Sequence, residues 1–175
     1  MKKQHLLLLL LPLFIAACKP KATEAPAAST TTPAYPYTIK HPDYWMIDTS
    51  HTNTMVALTA LKSFETMDTA TIKKCFTDSI DFKHDGGEFK GTVSQFAKMA
   101  ADMAATMKNM KIDMKDWEAV VSTDKKEEWV TLWYTQKWTG AKGVTDSIEL
   151  VNDMQFKNGK IIKLNEYIRN VKPAK

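Results

Sequence analysis

Glu166 stands in the stretch Ile162-Lys163-Leu164-Asn165-Glu166-Tyr167-Ile168, where alternate residues are aliphatic. Strand alternation places Ile162, Leu164, Glu166 and Ile168 on one face. A carboxyl group among aliphatics loses hydration, its pKa rises toward neutrality, and it can then both give and take a proton. Glu166 is therefore the candidate acid/base of this chain. Asn152 interrupts a second apolar face, between Leu150 and Met154, where an amide can orient a carbonyl or hydroxyl ligand or satisfy a core hydrogen bond. Trp133, Tyr134 and Trp138 on a third stretch, with Leu150 beside Asn152 and Met103 and Met107 on a methionine stripe, are candidates for a pocket wall as well as for core packing. Methionine is flexible enough to fill gaps or to line an adaptable binding surface. The four histidines have no zinc-site spacing, there is no phosphate loop, and no cofactor is implied. His84 beside Asp85 reads as surface turn chemistry.

Helices and strands must hold these residues. Ser50 can cap a helix with Met55, Leu58, Leu61 and Phe64 inward, and Asp68 a shorter one running to Phe76 with Ile72 inward. Ile80 and Phe82 alternate with charged neighbours before the turn Asp85-Gly86-Gly87. Thr92 and Gln95 form a capping box. They open the longest helical pattern: Phe96, Met99, Ala100, Met103, Met107 and Met110. The period then changes. Ile112, Met114 and Trp117 to Val121 form one strand, Glu128 to Trp138 a second, and Val144 to Phe156 a third. Asn158-Gly159 is a tight hairpin turn, and Lys160 to Ile168 returns as the last strand. Helices followed by long antiparallel strands make an α+β pattern. Trp129 and Trp133 alternate with Val130, Leu132 and Trp138, so neither face of that strand is fully polar. The sheet either curls around an apolar interior or meets another subunit on its outer face.

The amino terminus carries a different kind of chemistry. Met1-Lys2-Lys3 is basic, Leu6 to Ala17 is apolar but for Pro12, and Cys18 follows two alanines. This is the layout of an export signal, too short to span a bilayer. It resembles the lipobox of bacterial lipoproteins, which implies cleavage before Cys18 and lipidation of Cys18. More than one acyl chain makes such an anchor stable. The absence of aspartate after Cys18 favours the outer membrane, with the protein facing the periplasm. Residues 1–17 then form the signal peptide, 18–42 an Ala/Thr/Pro-rich tether, 43–171 one folded domain and 172–175 a tail. Loss of the signal lowers the formal charge from +4 to +2, and lysines alternate with acids, so nucleic acid is not an expected partner. With Cys18 lipidated, Cys75 has no disulfide partner and reads as a small buried hydrophobe.

The order of elements, with Phe76-Thr77-Asp78-Ser79-Ile80-Asp81-Phe82, Gly91, Trp133 to Gly140, Asp153 to Ile162 and Asn165-Glu166-Tyr167, resembles the NTF2-like superfamily and its SnoaL-like branch. The resemblance covers about Ser50 to Val171. It implies a cone, a strongly curved antiparallel-rich mixed sheet wrapped around three helices and an apolar pocket, and a homodimer through the outer sheet face. SnoaL-like cyclases place an aspartate just after the aromatic stretch of the last strand. Arg169 occupies that position here, and an arginine stays protonated. That departure favours noncatalytic binding of a small apolar ligand or a protein partner. An isomerase, lyase or hydrolase using Glu166 is the alternative, and an envelope scaffold without a ligand pocket is a third.

Overall fold

A computed structural model describes residues 34–170. Three helices, α1 (Thr52–Thr66), α2 (Thr69–Cys75) and α3 (Val93–Ala104), pack on a seven-stranded sheet. The strands are β1 (Trp45–Ile47), β2 (Phe76–His84), β3 (Gly87–Thr92), β4 (Lys108–Ser122), β5 (Glu128–Thr139), β6 (Thr145–Lys157) and β7 (Lys160–Asn170), in the order β1-β4-β5-β6-β7-β2-β3. Only β2 and β7 pair in parallel; the other pairs are antiparallel. The α+β cone expected from the sequence is the architecture observed. Among the described residues no helix is long and apolar enough to cross a membrane.

The long strands form where alternation is strongest. Val130, Leu132 and Tyr134 of β5 are buried, as are Leu150, Asn152, Met154 and Phe156 of β6. Side chains of one parity thus build the core under the helices. The hairpin between β6 and β7 turns on Asn158 (φ 53°) and Gly159 (φ 71°), the left-handed pair that a two-residue connection demands. Phe96 of α3 is the hub of an aromatic cluster, with the Phe64, Phe76, Phe82 and Phe89 rings 5.3–6.2 Å away. The Phe64 and Phe82 rings meet Phe96 edge-on, a packing that contributes beyond simple area burial.

Local signals set the helix ends. The Asp68 carboxylate accepts from Thr71 N at 3.0 Å to cap α2. The capping box of α3 is complete, with Thr92 Oγ1 accepting from Gln95 N and Gln95 Oε1 accepting from Thr92 N. The start of α1 differs from expectation. His51, in the left-handed region at φ 57°, is the cap, and Ser50 Oγ accepts from Thr52 N at 3.3 Å from outside the helix. Met55 is also corrected: it is 61 % exposed, because the buried stripe runs through Thr54, Ala57 and Leu61. The sequence reading lacked β1, a strand of three residues, and β3, which runs through Gly91.

A bulge decides a second correction. Phe156 pairs with Ile161 while Gln155 pairs with Lys163, so Ile162 is the extra residue. Ile161 is therefore the fully buried side chain, and Ile162 leaves the face it was expected to share with Leu164, Glu166 and Ile168.

Candidate functional site

Three adjacent strands carry the polar groups of one apolar cavity. In the ladder Leu132 pairs with Asn152 and Asn152 with Glu166, while Tyr134 pairs with Leu150 and Leu150 with Ile168. Tyr134, Asn152 and Glu166 are thus near neighbours on the helix-facing side of the sheet. They line a cavity of about 170 Å³ with Gln136. Its other walls are apolar: Leu61 and Phe64 of α1, Phe82 of β2, and Phe96, Met99 and Met103 of α3. Met103 is 54 % exposed and stands at the rim. Among the described residues, lysine, arginine and histidine are absent from the lining.

The hydrogen bonding within this cluster is incomplete. Asn152 Nδ2 donates to Tyr134 Oη at 3.0 Å. Asn152 Oδ1 is buried and has no partner among the described residues, an arrangement that costs free energy when no ligand or water satisfies it. Gln136 Nε2 points instead at Met107 Sδ, 3.6 Å away.

Electrostatics make Glu166 unusual. Burial lifts its pKa to about 7, the negative charge of Asp85 adds to the rise, and the Asn152 amide offsets part of it. Asp85 comes close because β2 runs parallel to β7 with Lys83 beside Asn165, which sets the turn after His84 just past Glu166. The Tyr134 hydroxyl is driven well above its ordinary pKa, first by burial and then by the charge of Glu166, so it stays protonated. The cavity therefore contains a carboxyl group that titrates near neutrality, a permanent hydroxyl and an unpaired amide oxygen. A group with that pKa can take a proton from a bound molecule and return it.

Of the pocket candidates named from sequence, Met103, Met107, Tyr134, Leu150, Asn152 and Glu166 all line this cavity. Two do not. Trp133 has the opposite parity on β5 and pairs with Asp116 and Val151, which carries it to the other face of the sheet. Trp138, opposite Asp146, sits beyond the cavity at the end of β5. The methionine pattern is not one helix, since α3 ends at Ala104 and Met110 belongs to β4, yet Met99, Met103, Met107 and Met110 converge on the same space. Phe64, Phe82 and Gln136 were missed as lining residues. Gln136 was legible by parity with Tyr134, whereas Phe64 and Phe82 arrive through tertiary packing alone.

Arg169, Asp153, His84 and Cys75 lie outside the cavity lining, Arg169 contrary to the pocket position that the family resemblance implied for it. Arg169 projects to the outer side, where its guanidinium binds the Glu149 carboxylate, so it is not a cavity residue. Asp153 also turns outward and accepts from Thr131 Oγ1 at 2.7 Å. His84 Nδ1 accepts from Gly86 N at 3.0 Å and its ring stacks on Phe82, as a turn residue would. Cys75 is a buried free cysteine whose thiol pKa is pushed up by burial. Among the described residues no group of three or more His, Cys, Asp or Glu could hold a metal ion. A larger depression of about 570 Å³ beside Thr77, Asp81, Lys90 and Thr92 is open to solvent. Thr92 there is already bound to Gln95, and Lys90 lies 3.8 Å from Asp81. Cys18 and the leucine tract lie outside the described residues.

The architecture has many counterparts among solved structures. An LEH-like epoxide hydrolase from M. tuberculosis aligns with a TM-score of 0.54 and 11 % identity over 67 % of this chain and 83 % of its own. An NTF2-like protein of unknown function from Burkholderia pseudomallei aligns at 0.56 and 13 % over 67 % and 91 %. The fold is an NTF2-like cone. The putative polyketide cyclase IdmH from Streptomyces antibioticus aligns similarly, at 0.55 and 11 % over 66 % and 91 %. At these identities the NTF2-like cone is shared, and the chemistry must be argued from the site itself. No protein-family model matches the chain, and no curated protein sequence matches it.

Proposed function

We propose that this NTF2-like domain binds a small, largely apolar molecule and moves a proton on it through Glu166. The observation that carries the proposal is the carboxyl group of pKa about 7 inside an apolar cavity, beside an unpaired amide oxygen and the Tyr134 hydroxyl. Ionised Glu166 accepts a proton from a carbon or oxygen acid, and the resulting carboxylic acid gives it back at the same or a neighbouring atom. Tyr134 steadies charge that develops on the substrate oxygen. A noncatalytic binding site would use the same cavity, and the two readings part on whether bound ligand turns over.

Deuterium incorporation distinguishes them. 2-Hydroxycyclohexanone and cyclohexanone in D2O, followed by NMR, should exchange their acidic C–H protons faster with the protein than with buffer alone. The rate should follow ionisation near pH 7 and fall at least a hundredfold in Glu166→Gln. Exchange at the buffer rate, or equal exchange by the variant, would contradict the catalytic reading.

The setting belongs to the same proposal. Lipid on Cys18 would tether the domain to the periplasmic side of a bacterial outer membrane. On the outer sheet face Trp129, Trp133 and Val151 are half-buried and Tyr167 is 54 % exposed, which supports a homodimer formed there. Native mass spectrometry of the protein released from the membrane should give twice the protomer mass, whereas a monomer at micromolar concentration would exclude that contact.

A further inference from the structure

The charge in the cavity is negative and has no counterpart. Glu166 lines the space, and Asp85 adds its field from the turn after β2. Among the described residues no lysine, arginine or histidine lines the cavity, and Glu166 forms no ion pair. Glu149 of the outer face, by contrast, is answered by both Lys115 and Arg169. The Glu166 carboxylate is also within reach of a ligand. The residue keeps part of its surface accessible, and the buried side-chain oxygens without a partner are those of Thr54, Asp81 and Asn152. The walls around it are apolar, with Phe64, Phe82, Phe96, Met99 and Met103 among them. Half-exposed Met103 stands at the rim, where the cavity opens. The volume of about 170 Å³ is close to that of an engineered cavity of about 150 Å³ that takes up benzene, so about six heavy atoms fill it.

We propose that this cavity holds a small alkylated ammonium ion, its charge paired with the Glu166 carboxylate and its alkyl groups packed against the phenylalanine and methionine walls. The inference rests on the reading of this cavity as the ligand site, and it applies to a substrate and to a merely retained ligand alike. A carboxylate held among apolar side chains lacks hydration that a countercharge can replace. A neutral ligand supplies no such charge, and an anion adds repulsion from Glu166 and Asp85. The bare ammonium ion is strongly hydrated and loses that hydration on entry. Alkyl groups on the nitrogen lower this cost and fill the apolar volume.

Tetramethylammonium, tert-butanol and pivalate share one shape and differ in charge. Their dissociation constants can be read on the full chain from the carbon-13 methyl signals of Met99, Met103 and Met107, which line the cavity. At pH 8 Glu166, of pKa about 7, is ionised. Tetramethylammonium should then bind at least about tenfold more tightly than tert-butanol, pivalate or the ammonium ion. At pH 5.5 its affinity should fall by about tenfold or more. The other ionisable groups near Glu166 are Asp85, Tyr134 of β5 and His84, whose ring stacks on Phe82. Among the described residues α1, α3, β4 and β6 contribute none to the lining. All of these groups remain in Glu166→Gln, which should lose both the cation preference and its pH dependence while tert-butanol still binds. Should that variant fail to fold, the wild type decides: saturating tetramethylammonium should lower the Glu166 carboxyl midpoint by about one pH unit or more. Tert-butanol, pivalate or ammonium within about threefold of tetramethylammonium, an unchanged preference in Glu166→Gln, an unmoved midpoint, or no binding of any probe would overturn the inference. Loss of deuterium exchange with the cation preference intact would remove the catalytic reading alone. Intact exchange without the preference would remove only this ligand class.

Discussion

Asn152 lies directly across the β6–β7 ladder from Glu166, and its amide nitrogen reaches along the sheet to Tyr134 Oη at 3.0 Å. One side chain thereby touches the two proton-bearing groups of the cavity. It moderates the rise in the Glu166 pKa, while its own oxygen is buried without a partner among the described residues. Each of β5, β6 and β7 contributes one member, so the geometry of the site is the geometry of the ladder.

The raised pKa of Glu166 makes stability depend on pH in a defined direction. Its carboxyl pKa is about 7 when folded against 4.5 as the ordinary value. Below pH 4.5 both states are protonated and no penalty exists. Between pH 4.5 and 7 the unfolded chain loses its proton first, and the native state is progressively destabilised. The full penalty, on the order of 3 kcal/mol, is reached above pH 7. Glu166→Gln should therefore gain stability relative to wild type as pH rises from 4.5 to 8, by roughly that amount in urea denaturation. A difference that is flat with pH would refute the buried carboxyl group.

Asn152→Asp removes an amide donor and adds a second carboxyl group opposite the first. Both changes disfavour ionisation, so the upper apparent pKa of the pair should rise by a unit or more. The pH dependence of stability in this variant would then extend toward pH 8 and beyond, measured by the same denaturation series.

Thr92→Ala tests the support of the cavity from the helix side. The side-chain half of the capping box is lost, the first turn of α3 frays, and stability should drop by about 1 kcal/mol. Phe96 and Met99 sit just after that turn and face the cavity. Amide exchange in residues 93–96 should accelerate while the β5–β6 amides remain protected.

Cys18→Ser addresses the proposed anchor. The substituted precursor expressed in a bacterial host should move from the membrane fraction to the soluble envelope fraction, and its mass should lack acyl chains. Retention in the membrane with no lipid on Cys18 would contradict the proposal.

Parity along the strands was the most legible part of the site. Alternation alone put Glu166, Asn152, Tyr134 and Leu150 on faces that do converge, because a sheet with one buried side enforces its register. It failed where a residue is inserted: Ile162 left its face at a bulge that no residue type announces. Trp133 was misplaced by weighing aromatic character over parity, although its neighbour Tyr134 already marked the inward side. The helical methionine pattern was right about destination and wrong about structure, since α3 ends at Ala104 and Met107 and Met110 reach the cavity from the coil and from β4. Nothing in the local sequence tells that Phe64, Phe82 and Asp85 approach Glu166. Those contacts come from the parallel pairing of β2 with β7 and from helix packing, both long-range events.

The central claim concerns the ionisation of one carboxyl group. Carbon-13 NMR titration of the Glu166 side-chain carboxyl, assigned by its loss in Glu166→Gln, measures it without needing a substrate. The account predicts a midpoint near 7, whereas a midpoint near the ordinary 4.5 would show a solvated surface acid and contradict the proposed proton-transfer role.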